Sequence, residues 1–157
     1  MGYNSTTFAP NDNITRGMLV TILYRMEGSP KVSTTSKFPD VKDSSMYYYK
    51  AVNWAASNKI VSGYDTGKFG PDDNITREQL AVILWKYSKY KGKDKDVTAD
   101  FTKFSDSSKI SDYAKKGMNW VLGVGVMHGS NGKLLPQGTA TRAEAAAMLS
   151  NYSKVVK

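Results

Sequence analysis

The chain has 157 residues, 40% of them hydrophobic and 23% charged, which suits one folded domain with its own core and excludes a disordered polyampholyte. Lys and Arg number 22 against 14 Asp and Glu, and the net charge of +8 favours anionic partners: nucleic acid, acidic lipid surfaces or acidic polysaccharide. Cysteine is absent, which excludes disulfides, thiolate catalysis and cysteine metal sites.

The opening "MGYNSTTF" has neither the basic start nor the apolar core of a signal peptide, so any export signal is expected outside this chain. No apolar run reaches the ~18 residues of a membrane span, so no membrane insertion is expected. In "NDNITRGMLVTIL", Thr15 offers an N-cap, and Met18, Leu19, Ile22, Leu23 and Met26 follow at helical spacing. "EGSPKVSTTSK" then reads as a surface connection. After "FPDV", the residues Ala51, Val52, Trp54 and Ala55 predict a second helix, which "NKIVSG" ends. The loop "GYDTGKFGPDDN" carries the Gly, Asp and Pro that turns require. Thr76 and Gln79 make a capping box for a third helix with Leu80, Ile83, Leu84 and Tyr87 on its apolar face. "YKGKDKDVTADFTK" is a second polar connection; its mixed charges read as a solvated linker.

The last third repeats this order. Phe38, Asp40, Tyr47, Trp54 and Gly63 align with Phe104, Asp106, Tyr113, Trp120 and Gly129. Phe8, Pro10 and Thr15 match Phe69, Pro71 and Thr76, and then Leu134, Pro136 and Thr141, with Thr141 and Glu144 making a second capping box. The chain thus divides into the back half of one repeat (1–30), a linker (31–37), a full repeat (38–90), a linker (91–103) and a full repeat (104–157). Five helices in all are expected, with Leu19, Leu23 and Met26 short of a partner because the first copy has no leading helix.

Enzyme chemistry finds no support. His128 lies at a loop entrance with no nucleophile beside it. The carboxylates Asp40, Asp106, Glu78 and Glu144 read first as turn acids and helix caps. There is no phosphate-binding glycine loop, and "DTGKFGPDDN" lacks the ligand pattern of a calcium loop, so neither metal nor cofactor is expected. What stands out is an arginine directly after each capping threonine: Arg16, Arg77 and Arg142. A cation at a helix N-terminus gains nothing from the dipole. Each arginine therefore either pairs with an acid such as Asp12, Asp73 or Glu144, or joins free backbone N–H groups in holding a ligand carboxylate.

"FPDV...YYYKAVNWAASNKIVSGYDTGKFGPDDNITREQLAVILWKY" resembles an S-layer homology repeat, with its F-x-D start, G-Y-x-x-G-x-F-x-P loop and I-T-R-A-E helix start. The resemblance covers nearly the whole chain. It implies a mainly α fold of tandem helix-loop-helix repeats in a pseudo-threefold unit, with the first repeat incomplete. It also implies non-covalent anchoring of an exported bacterial surface protein to the cell wall, through secondary cell-wall polysaccharide that is anionic and often pyruvylated. The site residues it implies are Arg77, Arg16, Arg142 and Thr76, the aromatics Tyr47 and Tyr113, and Asp40, Asp106, Gly63 and Tyr64. Arg77 is expected to head the best groove because its own copy keeps "GYDTGKFGP", whereas the third copy has Ser130 and Leu134 where the pattern has Tyr and Phe. Two alternatives stand beside this: a self-assembling structural or adhesive module, forming a homo-oligomer through the incomplete repeat, and a nucleic-acid binder, for which the lysines are too scattered.

Overall fold

The computed structural model describes residues 11–32 and 35–156. The flank at Phe8 and Pro10 lies outside them. Five α-helices form: α1 (Arg16–Met26), α2 (Tyr49–Ser57), α3 (Arg77–Lys91), α4 (Lys115–Gly123) and α5 (Arg142–Val155). Three short 3-10 turns, which the sequence reading did not foresee, lead into α4 at Phe101–Lys103, Ser107–Lys109 and Asp112–Ala114. The described residues form no strand, only isolated bridges.

Capping chemistry sets the starts of α1, α3 and α5, whereas α2 and α4 begin without a side-chain cap. The Thr15 hydroxyl accepts from Met18 N, and Thr76 with Gln79 and Thr141 with Glu144 form complete capping boxes. Helix α3 ends at Gly92, whose φ of 69° is the left-handed turn that suits glycine, with Lys93 N donating to Ser88 O.

The described residues form two compact units, one on 14–74 and one on 75–156 with residues 11–13. Neither coincides with a sequence repeat. Each joins the second helix of one copy to the first helix of the next. In the first unit α1 packs on α2, with the Tyr24 and Trp54 rings 5.6 Å apart. Leu19 and Leu23 are wholly buried there, so the expectation that both lack a partner is overturned; of the three, only Met26 is exposed, at 48%. Each buried leucine contributes ~1.5–3 kcal/mol.

In the second unit α3 packs on α4, and Gly117 makes the close approach possible: a Cβ there would lie 2.9 Å from the Val82 Cα. Helix α5 joins through Tyr152, whose hydroxyl is 2.6 Å from Ser88 Oγ and whose ring lies against Tyr87 and Trp120. Trp54 and Trp120 are each 3% exposed, core residues as expected.

Candidate functional site

Each arginine meets a loop of another copy: Arg16 and Arg77 that of the copy that follows, Arg142 that of the first. Arg16 N donates to Asp73 O, Arg77 N to Gly138 O, and Arg142 N to Asp12 O, at 2.9, 2.9 and 2.8 Å. The following amides of the first two helices are engaged as well: Gly17 N donates to Pro71 O and Glu78 N to Pro136 O. The third amide of all three helices goes to the capping threonine. The first three amides of α1 and α3 are therefore all engaged, contrary to the expectation of free amides for a ligand carboxylate, which leaves the guanidinium as the group that could meet an anion at those two starts.

The pairing of arginine with loop also corrects the sequence reading. Gly63 and Tyr64, in the intact "GYDTGKFGP" loop, belong with Arg16 and not with Arg77. The Arg16 guanidinium lies 4.6 Å from the Tyr64 ring centre and 4.7 Å from that of Phe69, its Nε donates to Phe69 O at 2.9 Å, and the residue is only 6% exposed. The Tyr64 hydroxyl donates to Asp73 at 2.8 Å, fixing the ring in place. Gly63 is required by packing, since a Cβ there would sit 2.7 Å from the Phe38 ring and its φ is +83°. Tyr47 is 52% exposed, edge-on to the buried Tyr48.

Asp40 and Asp106 fasten loops. Asp40 accepts from Phe69 N and Gly70 N at 2.9 and 2.8 Å, and Asp106 from Leu134 N and Leu135 N, both at 2.8 Å. Burial pushes both carboxyls up, but the paired backbone amides outweigh it and hold them below the ordinary aspartate value. Both therefore act as turn acids.

The second unit presents a different groove. Arg77 and Glu144 form an ion pair with side chains 21% and 40% exposed, and Nη1 of Arg77 lies where a Cβ on Gly138 would stand 2.7 Å away. Burial raises the Glu144 carboxyl, yet the Thr141 amide and the Arg77 guanidinium together hold it below its ordinary value. Tyr113 is 58% exposed, and its hydroxyl donates to Glu78 at 3.2 Å. Glu78 itself is 3% exposed and also accepts from Ser111 N, Ser111 Oγ and Gln137 Nε2 at 2.9, 2.7 and 3.2 Å. It is no helix cap, because Gln79 fills that place. Thr76 is occupied with capping, and Arg142 is half-buried at the head of α5.

Glu78, Ser111, Gln137 and Gly138 were not foreseen as site residues. One signal was available: Glu78 stands where the other two copies have Gly17 and Ala143. The arrangement offers a reachable guanidinium, an anchored and exposed aromatic ring, and two carboxylates. It can grip a ligand that combines an acidic group with an apolar ring face.

The chain matches the S-layer homology domain family over residues 1–17, 37–81 and 103–146, and it belongs to that family. Among its relatives, an endoglucanase of Bacillus sp. (strain KSM-635) is 31% identical over 95% of this chain and 16% of its own length. The cellulosome-anchoring protein of Acetivibrio thermocellus is 28% identical over 94% of this chain and 34% of its own length. The surface-layer 125 kDa protein of Lysinibacillus sphaericus is 30% identical over 91% and 12%. The chain thus spans between 12% and 34% of the length of these relatives, and it matches the enzyme only through a small part. A solved undecaheme cytochrome from the S-layer of Carboxydothermus ferrireducens is 23% identical over 87% of this chain and 20% of its own, with a TM-score of 0.44. No helix among the described residues is long and apolar enough to cross a membrane.

Proposed function

We propose that this chain is a non-catalytic module that holds an exported bacterial protein at the cell surface by binding anionic secondary cell-wall polysaccharide, pyruvylated polymer included. The repeats at 38–90 and 104–157 act together in this, since the groove takes its arginine from one and its loop from the other. The observation that carries the reading is the Arg77 groove. An arginine 21% exposed stands at the helix start beside Glu78, the carboxylate that anchors the 58% exposed Tyr113 ring. The guanidinium supplies charge-assisted hydrogen bonds to an acidic group, and the ring covers the C–H face of a sugar. The basic net charge draws the chain to an anionic wall. Membership of a family with surface-layer and cellulosome-anchoring relatives supports the same reading.

The test is co-sedimentation with sacculi of Lysinibacillus sphaericus and Acetivibrio thermocellus, before and after extraction of the secondary polymer. Binding that disappears on extraction is expected from at least one of them. Equal binding to bare peptidoglycan, or binding to neither, would overturn the reading.

A further inference from the structure

Glu144 has two partners, and only one of them concerns the helix. One carboxylate oxygen accepts from Thr141 N in the capping box, and the other meets Arg77. An uncharged side chain suffices for the cap, because Gln79 makes the same box at the head of α3. The charge of Glu144 is thus free for Arg77 alone. The pair is open to water, with side chains 21% and 40% exposed, and ion pairs of that kind hold weakly. Beside them the buried Glu78 accepts four hydrogen bonds from neutral donors.

Building on the glycan reading above, we propose that Glu144 is a specificity-determining residue of the Arg77 groove: a resident carboxylate that the ligand's own carboxylate must displace. The occupied slot shows which chemistry the guanidinium accepts here, a carboxylate. A small anion such as phosphate gains only the guanidinium, and it must take that from Glu144. An acidic sugar gains the guanidinium together with the Tyr113 ring. The groove therefore takes a carboxylate-bearing sugar and turns simple anions away. Its affinity stays modest per site because every binding event releases Glu144.

The experiment uses the full chain, the Glu144→Gln variant, and wall polymer released from whichever sacculi the wild type binds. A second sample of the polymer has its carboxylates reduced to alcohols, and inorganic phosphate serves as competitor. By calorimetry, Glu144→Gln should bind the acidic polymer up to about fivefold more tightly, the equivalent of one exposed ion pair, and the reduced polymer no more tightly than wild type does. Phosphate should compete with the variant and not with wild type. Should Glu144→Gln melt early, Glu144→Asp keeps a carboxylate at the helix start but withdraws it from Arg77, and the same gain is expected. Wild-type binding with no gain in either variant would overturn this proposal and leave the glycan reading intact. Absence of binding by wild type and variants alike would overturn the glycan reading itself.

Discussion

Replacing Glu78 by alanine tests how the second unit holds its groove in shape. Glu78 is 3% exposed and accepts four hydrogen bonds, two from Ser111 and one each from Tyr113 and Gln137. Tyr113 is well exposed and can turn to water, and Gln137 keeps its 2.7 Å bond to Lys109 O. The Ser111 amide and hydroxyl lose the partner that pins the turn before α4 to the head of α3. Hydrogen bonds to a charged acceptor contribute ~1.5–3 kcal/mol each, and relief from holding a carboxylate in the interior offsets part of that loss. The net cost is about 2–4 kcal/mol. At ~2–4 °C per kcal/mol for a chain of this size, thermal unfolding followed by circular dichroism should show Tm falling by about 5–15 °C. Glu78→Gln keeps an acceptor for Ser111 and should lose less than half as much. A Glu78→Ala protein that melts within about 2 °C of wild type would refute the reasoning, because the Ser111 bonds would then carry no net stability.

Two further outcomes follow from the loops and the core. Asp40 and Asp106 are held below their ordinary carboxyl value of 3.8 in the folded chain, so their contribution is complete above that value and is lost as pH falls through the lower folded value; Asp106→Asn should lower Tm at neutral pH and flatten the loss of stability below pH 3.8, and an acid limb as steep as wild type's would contradict this. Light scattering over a concentration series should give a monomer, since Leu19 and Leu23 are buried within one chain, whereas a dimer abolished by Met26→Lys would restore the homo-oligomer expectation.

The helices were legible in the sequence because each is specified locally. The capping threonines, the Gln79 and Glu144 boxes and the apolar spacing of Leu80, Ile83 and Leu84 are all short-range signals, and α1, α3 and α5 start where these put them. Asp40 and Asp106 were legible as turn acids for the same reason. The groove was not, because its parts come from different copies. Aligning repeats places Arg77 with the loop of its own copy, but the polypeptide folds with Arg77 against Gly138 and leaves Tyr64 and Phe69 to cover Arg16. Backbone amides that looked free at the helix starts are used by Pro71, Asp73, Pro136 and Gly138, partners far away in sequence that no local pattern names. Glu78 was misread as a cap because it lies one position from the capping glutamine, and that single step turns its side chain toward Ser111 and Tyr113.

The most direct measurement compares Arg77→Ala with Arg16→Ala in sacculus binding, alongside the melting curve of each. Arg77 is reachable and Arg16 is buried beneath Tyr64 and Phe69. Loss of a charge-assisted contact worth ~1.5–3 kcal/mol should weaken the binding of Arg77→Ala about tenfold or more while its Tm stays near wild type. Arg16→Ala should lose stability first and keep binding wherever it remains folded. Full binding by a folded Arg77→Ala protein, or a folded Arg16→Ala protein that no longer binds, would contradict the placement of the working groove in the second unit.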